Sequence, residues 1–194
     1  MSRSPVTLRD AVPADAARLA ALWSDILRRS DLTEQQADLA LVIARVDPTF
    51  ERLVVAEYDG AVAGAVYLRA ATLTPLNLEP VVQAHSPHVF PEFRRHGVGS
   101  ALMDAAAAFA EERGIGHVAS ASLSVSRDAN RFLARLGLGP QAVLRVAPTP
   151  TLRARLTAAR PGLSRVGGRQ IGQVLAARRS QRRRHAATAG DPVR

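Results

Sequence analysis

Apolar positions along the chain switch between a spacing of two and a spacing of three to four, and each switch predicts a new element. Val6-Thr7-Leu8-Arg9 alternates as a short opening strand. Pro13 suits the start of a helix, and Ala17, Leu19, Ala20, Leu22, Trp23, Ile26 and Leu27 supply its apolar stripe. Thr33-Glu34-Gln35-Gln36 reads as a capping box for a second helix through Leu39, Leu41, Val42, Ile43 and Val46, with Pro48 marking its end. Residues 52–57 and 61–69 are strand-like runs joined by Asp59-Gly60, a hairpin signal. Pro75 and Pro80 argue against a continuous strand over 70–78, and residues 81–89 resume one. A helix is expected over 99–113 with Gly114 beyond its end, then a strand over 117–125. Ser126 caps a further helix that Gly137 stops, and Gln141 to Val146 makes a last strand. The order β-αα-ββ-β-α-β-α-β is a mixed α/β layout.

The most informative segment is Val89-Phe-Pro-Glu-Phe-Arg-Arg-His-Gly-Val-Gly-Ser100. A strand ends, a turn rich in arginine and glycine follows, and an amphipathic helix begins. That arrangement gathers free backbone N–H groups and a helix N-terminus at one point, which suits a pyrophosphate. Gly97 and Gly99 allow close backbone approach, and Arg94, Arg95 and His96 bring positive charge or donors. No Gly-Lys-Ser/Thr closes the turn, so it is not a Walker loop, and Leu102 stands where a dinucleotide fingerprint needs its third glycine.

The pattern Arg94-x-x-Gly97-x-Gly99, preceded by Val89-x-Pro91, resembles the acyl-CoA-binding motif of the GNAT superfamily of N-acetyltransferases. The element order from about residue 6 to 146 resembles that fold too. The resemblance implies a central, mostly antiparallel sheet flanked by helices, with acetyl-CoA as cosubstrate and no metal. It implies that Arg94, Arg95, His96, Gly97, Val98, Gly99 and Ser100 cradle the pyrophosphate, and that the backbone of Val89 and Phe90 meets the pantetheine. Ser126 to Gly137 resembles the family's second CoA-side helix, with Ser126 at a usual asparagine position and Leu133 where a tyrosine acid is common. Leucine donates no proton, so Ser124, Ser126 or water takes that part, or the protein binds acyl-CoA without reacting. The implied reaction is acetyl transfer from acetyl-CoA to a primary amine.

Composition adds limits. The chain has no cysteine, which excludes disulfides and thiolate chemistry, and no lysine, so all 26 of its basic side chains are arginine. No apolar run approaches a membrane span, and residues 1–13 lack a signal-peptide core, so a cytoplasmic location is expected. On the strand before the glycine turn, the titratable residues are Glu79, His85 and His88, and the general-base candidates are His85 and Glu79.

Charge divides the chain. Residues 1–140 carry 14 arginines against 16 acids, whereas residues 141–194 carry 12 arginines against one acid. The expected organisation is an acyltransferase domain over 1–147, a basic helical extension over 148–184 and a disordered tail over 185–194. In the extension, a helix over 151–159 precedes another over 168–184, where Ile171, Val174 and Leu175 share one side. Arg178, Arg179, Arg182, Arg183 and Arg184 then suit a nucleic-acid or ribosome contact. Docking of that helix with solvated arginines is the competing reading.

Overall fold

A computed structural model of the chain describes residues 6–122 and 126–159. The chain divides into two compact units, Met1–Gly139 and Pro140–Arg194. The first unit runs β1 (Val6–Asp10), a 3-10 turn (Pro13–Asp15), α1 (Ala16–Leu22), α2 (Leu32–Ala44), β2 (Glu51–Tyr58), β3 (Ala61–Thr72), β4 (Pro80–Val89), a second 3-10 turn (Pro91–Phe93), α3 (Val98–Glu111), β5 (Val118–Ser120) and α4 (Arg127–Arg135). In the second unit the described helix is α5 (Thr149–Ala158).

The five strands lie in chain order, the first four antiparallel and β5 parallel to β4. Alternation gives the sheet two apolar faces. Val54, Val66, Leu68 and Val82 pack beneath Leu102, Ala106 and Phe109 of α3. Leu53, Val55 and Ala65 pack beneath Leu19 and Ala20 of α1, Trp23 and Leu39 of α2. This is the mixed, mostly antiparallel sheet flanked by helices that the hydrophobic pattern and the family resemblance imply. Asp59 and Gly60 both take positive φ (49° and 79°), as a tight two-residue hairpin requires.

Four local expectations change. The helix from Pro13 stops at Leu22, and the chain turns as Ile26 and Leu27 N–H groups donate to the Trp23 carbonyl at 2.9 and 3.0 Å. Asp31, not Thr33, caps α2, because its carboxylate accepts the Glu34 N–H at 2.8 Å two residues earlier. Strand β5 is three residues long. Gln141–Val146 forms no strand; Val143, Leu144 and Val146 stand exposed, and alternation without a ladder or a face to bury does not make one. The helix expected over 168–184 and the tail lie outside the described residues.

One buried charge ties the first elements together. Asp15 receives Arg9 Nη1 and Nη2 at 2.7 and 2.9 Å and the Val12 N–H at 2.8 Å, while Arg9 Nε donates to Glu57 at 2.7 Å. The Arg9 hydrogen bonds hold the Asp15 carboxyl below its ordinary 3.8, against the opposing effect of burial. A lowered carboxyl contributes stability above its unfolded pKa and loses it as pH falls through the folded value. Asp15→Asn is therefore expected to cost about 2 kcal/mol at pH 7, less than a fully enclosed pair because Arg9 is partly exposed. Urea unfolding at pH 7 and at successive steps below pH 4 checks this, and the gap from the parent should close with acidification.

Candidate active site

The site is built where β4 departs from a regular strand. Ala65 pairs with His88 and Tyr67 with His85, so Val66 alone faces both Ser86 and Pro87. This is a β-bulge, and Ser86 takes φ 49° within it. The extra residue rephases the strand. His85 and His88, three apart, come to the same face of the sheet, the one that carries Tyr67 and α1. A regular strand would put them on opposite faces.

The β4–β5 ladder runs only from Val82↔Val118 to Ala84↔Ser120. From His85 to Val89 that edge of β4 has no paired strand among the described residues. An open strand edge presents N–H and C=O groups that can pair with an extended amide-bearing chain. The edge leads directly into the glycine turn. There Arg95 and Gly97 take positive φ (65° and 83°), and α3 begins at Val98. Helix geometry leaves the N–H groups of Val98, Gly99 and Ser100 without intrahelical acceptors; the Ala101 N–H reaches Gly97 O at 3.0 Å. Arg94, Arg95, His96, Gly97 and Ser100 are exposed around them, and the His96 ring meets the Tyr58 ring edge-on at 4.9 Å. An open edge continuous with unsatisfied first-turn amides and two arginines fits a pantetheine joined to a pyrophosphate.

The two glycines of the motif do different work. A side-chain carbon on Gly97 would meet nothing within 4 Å, so its value lies in its positive φ and an open face. On Gly99 that carbon would lie 3.3 Å from the Phe132 ring, so Gly99 makes room for α4 and does not serve the anion alone. Gly64 was not anticipated as a site residue. A side-chain carbon there would fall 2.5 Å from His88 O and 3.2 Å from a Val98 methyl. Its signal was an isolated glycine within a strand pattern, which marks close backbone approach.

The candidate proton-transfer residues separate. Gln83 Nε2 donates to Thr72 O at 3.3 Å, which turns Gln83 Oε1 toward His85 Nε2 at 3.1 Å. His85 Nε2 therefore carries the proton, and its Nδ1 is the acceptor of the neutral ring, without a hydrogen-bond partner among the described residues. Partial burial, and secondarily Arg69, hold the His85 pKa below its ordinary value. Glu79 lies before the start of β4, 3.7 Å from His117. At ~3.3 Å per residue the intervening strand puts it more than about 15 Å from His85. Ser124 lies outside the described residues. Ser126 occupies the N-cap of α4 without a side-chain cap bond, contrary to the expected hydroxyl cap, and its carbonyl accepts from Asn130 Nδ2 at 2.7 Å. Leu133 is buried in the core beside α3. Among the described residues no group of three or more His, Asp and Glu could hold a metal ion, and no helix is long and apolar enough to cross a membrane.

The fold recurs in solved structures. A transcriptional regulator from Bacillus halodurans shares 21% identity over 74% of this chain and 99% of its own, with a TM-score of 0.62. A ribosomal-protein-alanine N-acetyltransferase from Brucella melitensis biovar Abortus shares 20% over 74% and 98%, with a TM-score of 0.56. The aminoglycoside N-acetyltransferase AAC(6′)-Iy, solved with CoA, shares 18% over 74% and 95%, with a TM-score of 0.61. No curated protein matches the sequence. The family model for GNAT acetyltransferases matches residues 17–138, a span that holds α2, the bulged β4, the glycine turn and α4. The chain belongs to the GNAT acetyltransferase family.

Proposed function

We propose that this chain transfers an acetyl group from acetyl-CoA to a primary amine. The observation that carries the proposal is the open edge of β4 running into the amide-lined turn at the start of α3. Residues 94–100 would hold the pyrophosphate, and the backbone of Val89 and Phe90 would face the pantetheine. Bound acetyl-CoA supplies an activated acyl group. Of the proton-transfer candidates, His85 has the best-defined role: a neutral ring, its Nε2–H engaged by Gln83, and Nδ1 left to take the proton the attacking amine must lose. With Leu133 in the core, the proton for the departing thiol would come from Ser124, Ser126 or water. Ser126, at the head of α4, belongs to the same CoA-side surface.

The test is acceptor-stimulated release of CoA from acetyl-CoA, using aminoglycosides, polyamines, and peptides with N-terminal alanine or internal lysine. His85→Gln should lower kcat about 100-fold with at least one acceptor. Because burial holds the His85 pKa below its ordinary 6.5, the acid limb that separates wild type from His85→Gln, compared at each pH with the same acceptor, should lie below pH 6.5. A pH profile of the same shape in wild type and His85→Gln, or undiminished turnover in His85→Gln, counts against His85 as base.

Burial of Leu133 favours a second reading, a module that binds acyl-CoA without turnover. Tight acetyl-CoA binding with no release across the acceptor panel would select it. The arginines from Arg178 to Arg184 lie outside the described residues and add nothing to either reading.

A further inference from the structure

The Ser86 carbonyl is turned out of the ladder by the bulge and must find donors elsewhere. It finds two. Trp23 Nε1–H donates to it at 2.9 Å, and His88 Nδ1 lies 3.2 Å away. A carbonyl only accepts, so that His88 nitrogen carries its proton. The other His88 nitrogen lies 3.5 Å from Asp25. The two donors differ in how firmly they are held. His88 is part exposed, whereas Trp23 is 4% exposed, packed among the α1 residues at the end of that helix. Ser86 has a positive φ that non-glycine residues rarely adopt, and such geometry persists only where its surroundings fix it.

We propose that Trp23 is a positioning residue: its indole N–H holds the Ser86 carbonyl and keeps β4 in the bulged form that sets the edge from His88 to Phe90 for the acyl arm. The part played by the acyl arm rests on the function proposed above; the hydrogen bond and the bulge do not. Phenylalanine at position 23 would retain most of the apolar packing. Only the indole adds a donor aimed at a carbonyl on another element, and this explains a lone tryptophan in a chain poor in aromatic residues. The link runs from α1 to β4, so the strand distortion is held from outside the strand.

The test uses the full chain and Trp23→Phe, which deletes the donor and keeps a ring. In ligand-free protein, exchange of the amides beyond the bulge that bond β3, with Phe90 N–H on Ala63 O at 2.9 Å as the marker, should quicken tenfold or more, with β2 and residues 81–84 unchanged. Adding Ser86→Gly should recover most of that protection, since glycine takes a positive φ without strain. By calorimetric titration, Trp23→Phe should bind acetyl-CoA about tenfold more weakly. It should bind 3′-phospho-ADP, which carries the pyrophosphate without the arm, within twofold of wild type. Unchanged exchange overturns the proposal. So does acceleration spread evenly over the sheet, or equal loss of both ligands, because each marks a ring that serves packing alone. Wild-type protein that binds neither ligand defeats the acyl-donor reading, while the exchange data still decide whether Trp23 holds the bulge.

Discussion

Gly64→Ala is expected to destabilise the protein by about 2–3 kcal/mol and to weaken acetyl-CoA binding at least tenfold. The added carbon would sit 2.5 Å from His88 O and 3.3 Å from Val89 Cα, both backbone atoms, and 3.2 Å from a Val98 methyl. A side chain can rotate away from such a contact, but a paired strand cannot. Strand β4 must therefore move off β3 where Gly64 pairs with Val89, beside the open edge. Stability and binding should fall together, as read by urea midpoints and calorimetric titration. An alanine variant with the parent's midpoint would show that β4 yields easily, and that the close packing at Gly64 is unimportant.

Gly97→Glu is expected to lower acetyl-CoA affinity more than 100-fold, about 2.7 kcal/mol, with a smaller change in stability. The position is spacious, so steric exclusion by neighbouring atoms is not the cause. Two other effects act. A non-glycine residue at φ 83° is strained. A carboxylate at the head of α3 also competes for the first-turn amides and repels the pyrophosphate. A graded series separates them. Gly97→Asn, which tolerates the left-handed region, should bind nearly as the parent does, and Gly97→Ala should show the strain alone. A glutamate variant that titrates like wild type would remove the turn from the binding site.

What the sequence made legible follows from the range of the interactions. The Asp59-Gly60 hairpin and the turn from Arg94 to Ser100 are local, set by glycines and their neighbours, and both were readable in advance. The cap of α2 was misplaced by two residues because Asp31 and Thr33 are both competent, and the carboxylate nearer the preceding turn reaches the first-turn donor. The bulge was hidden because nothing in Ser86-Pro87 dictates an extra residue; it is defined against Val66 on another strand. The partition of His85 from Glu79 was hidden for the same reason, as it depends on Gln83, Thr72 and His117. Leu133 was visible as a departure from the family pattern, but its burial beside α3 shows what leucine does there.

The odd residue in β4 makes position along this strand a matter of counting. Upstream of Ser86, one parity of residue number belongs to the α1 compartment; downstream, the opposite parity does. Roles carried between relatives across this point keep their meaning only if the extra residue is matched with an extra residue. A comparison that closes it as a gap assigns the chemistry of one side of the sheet to the packing of the other. Amino-acid identity is conserved information of one kind, and here the number of residues is another.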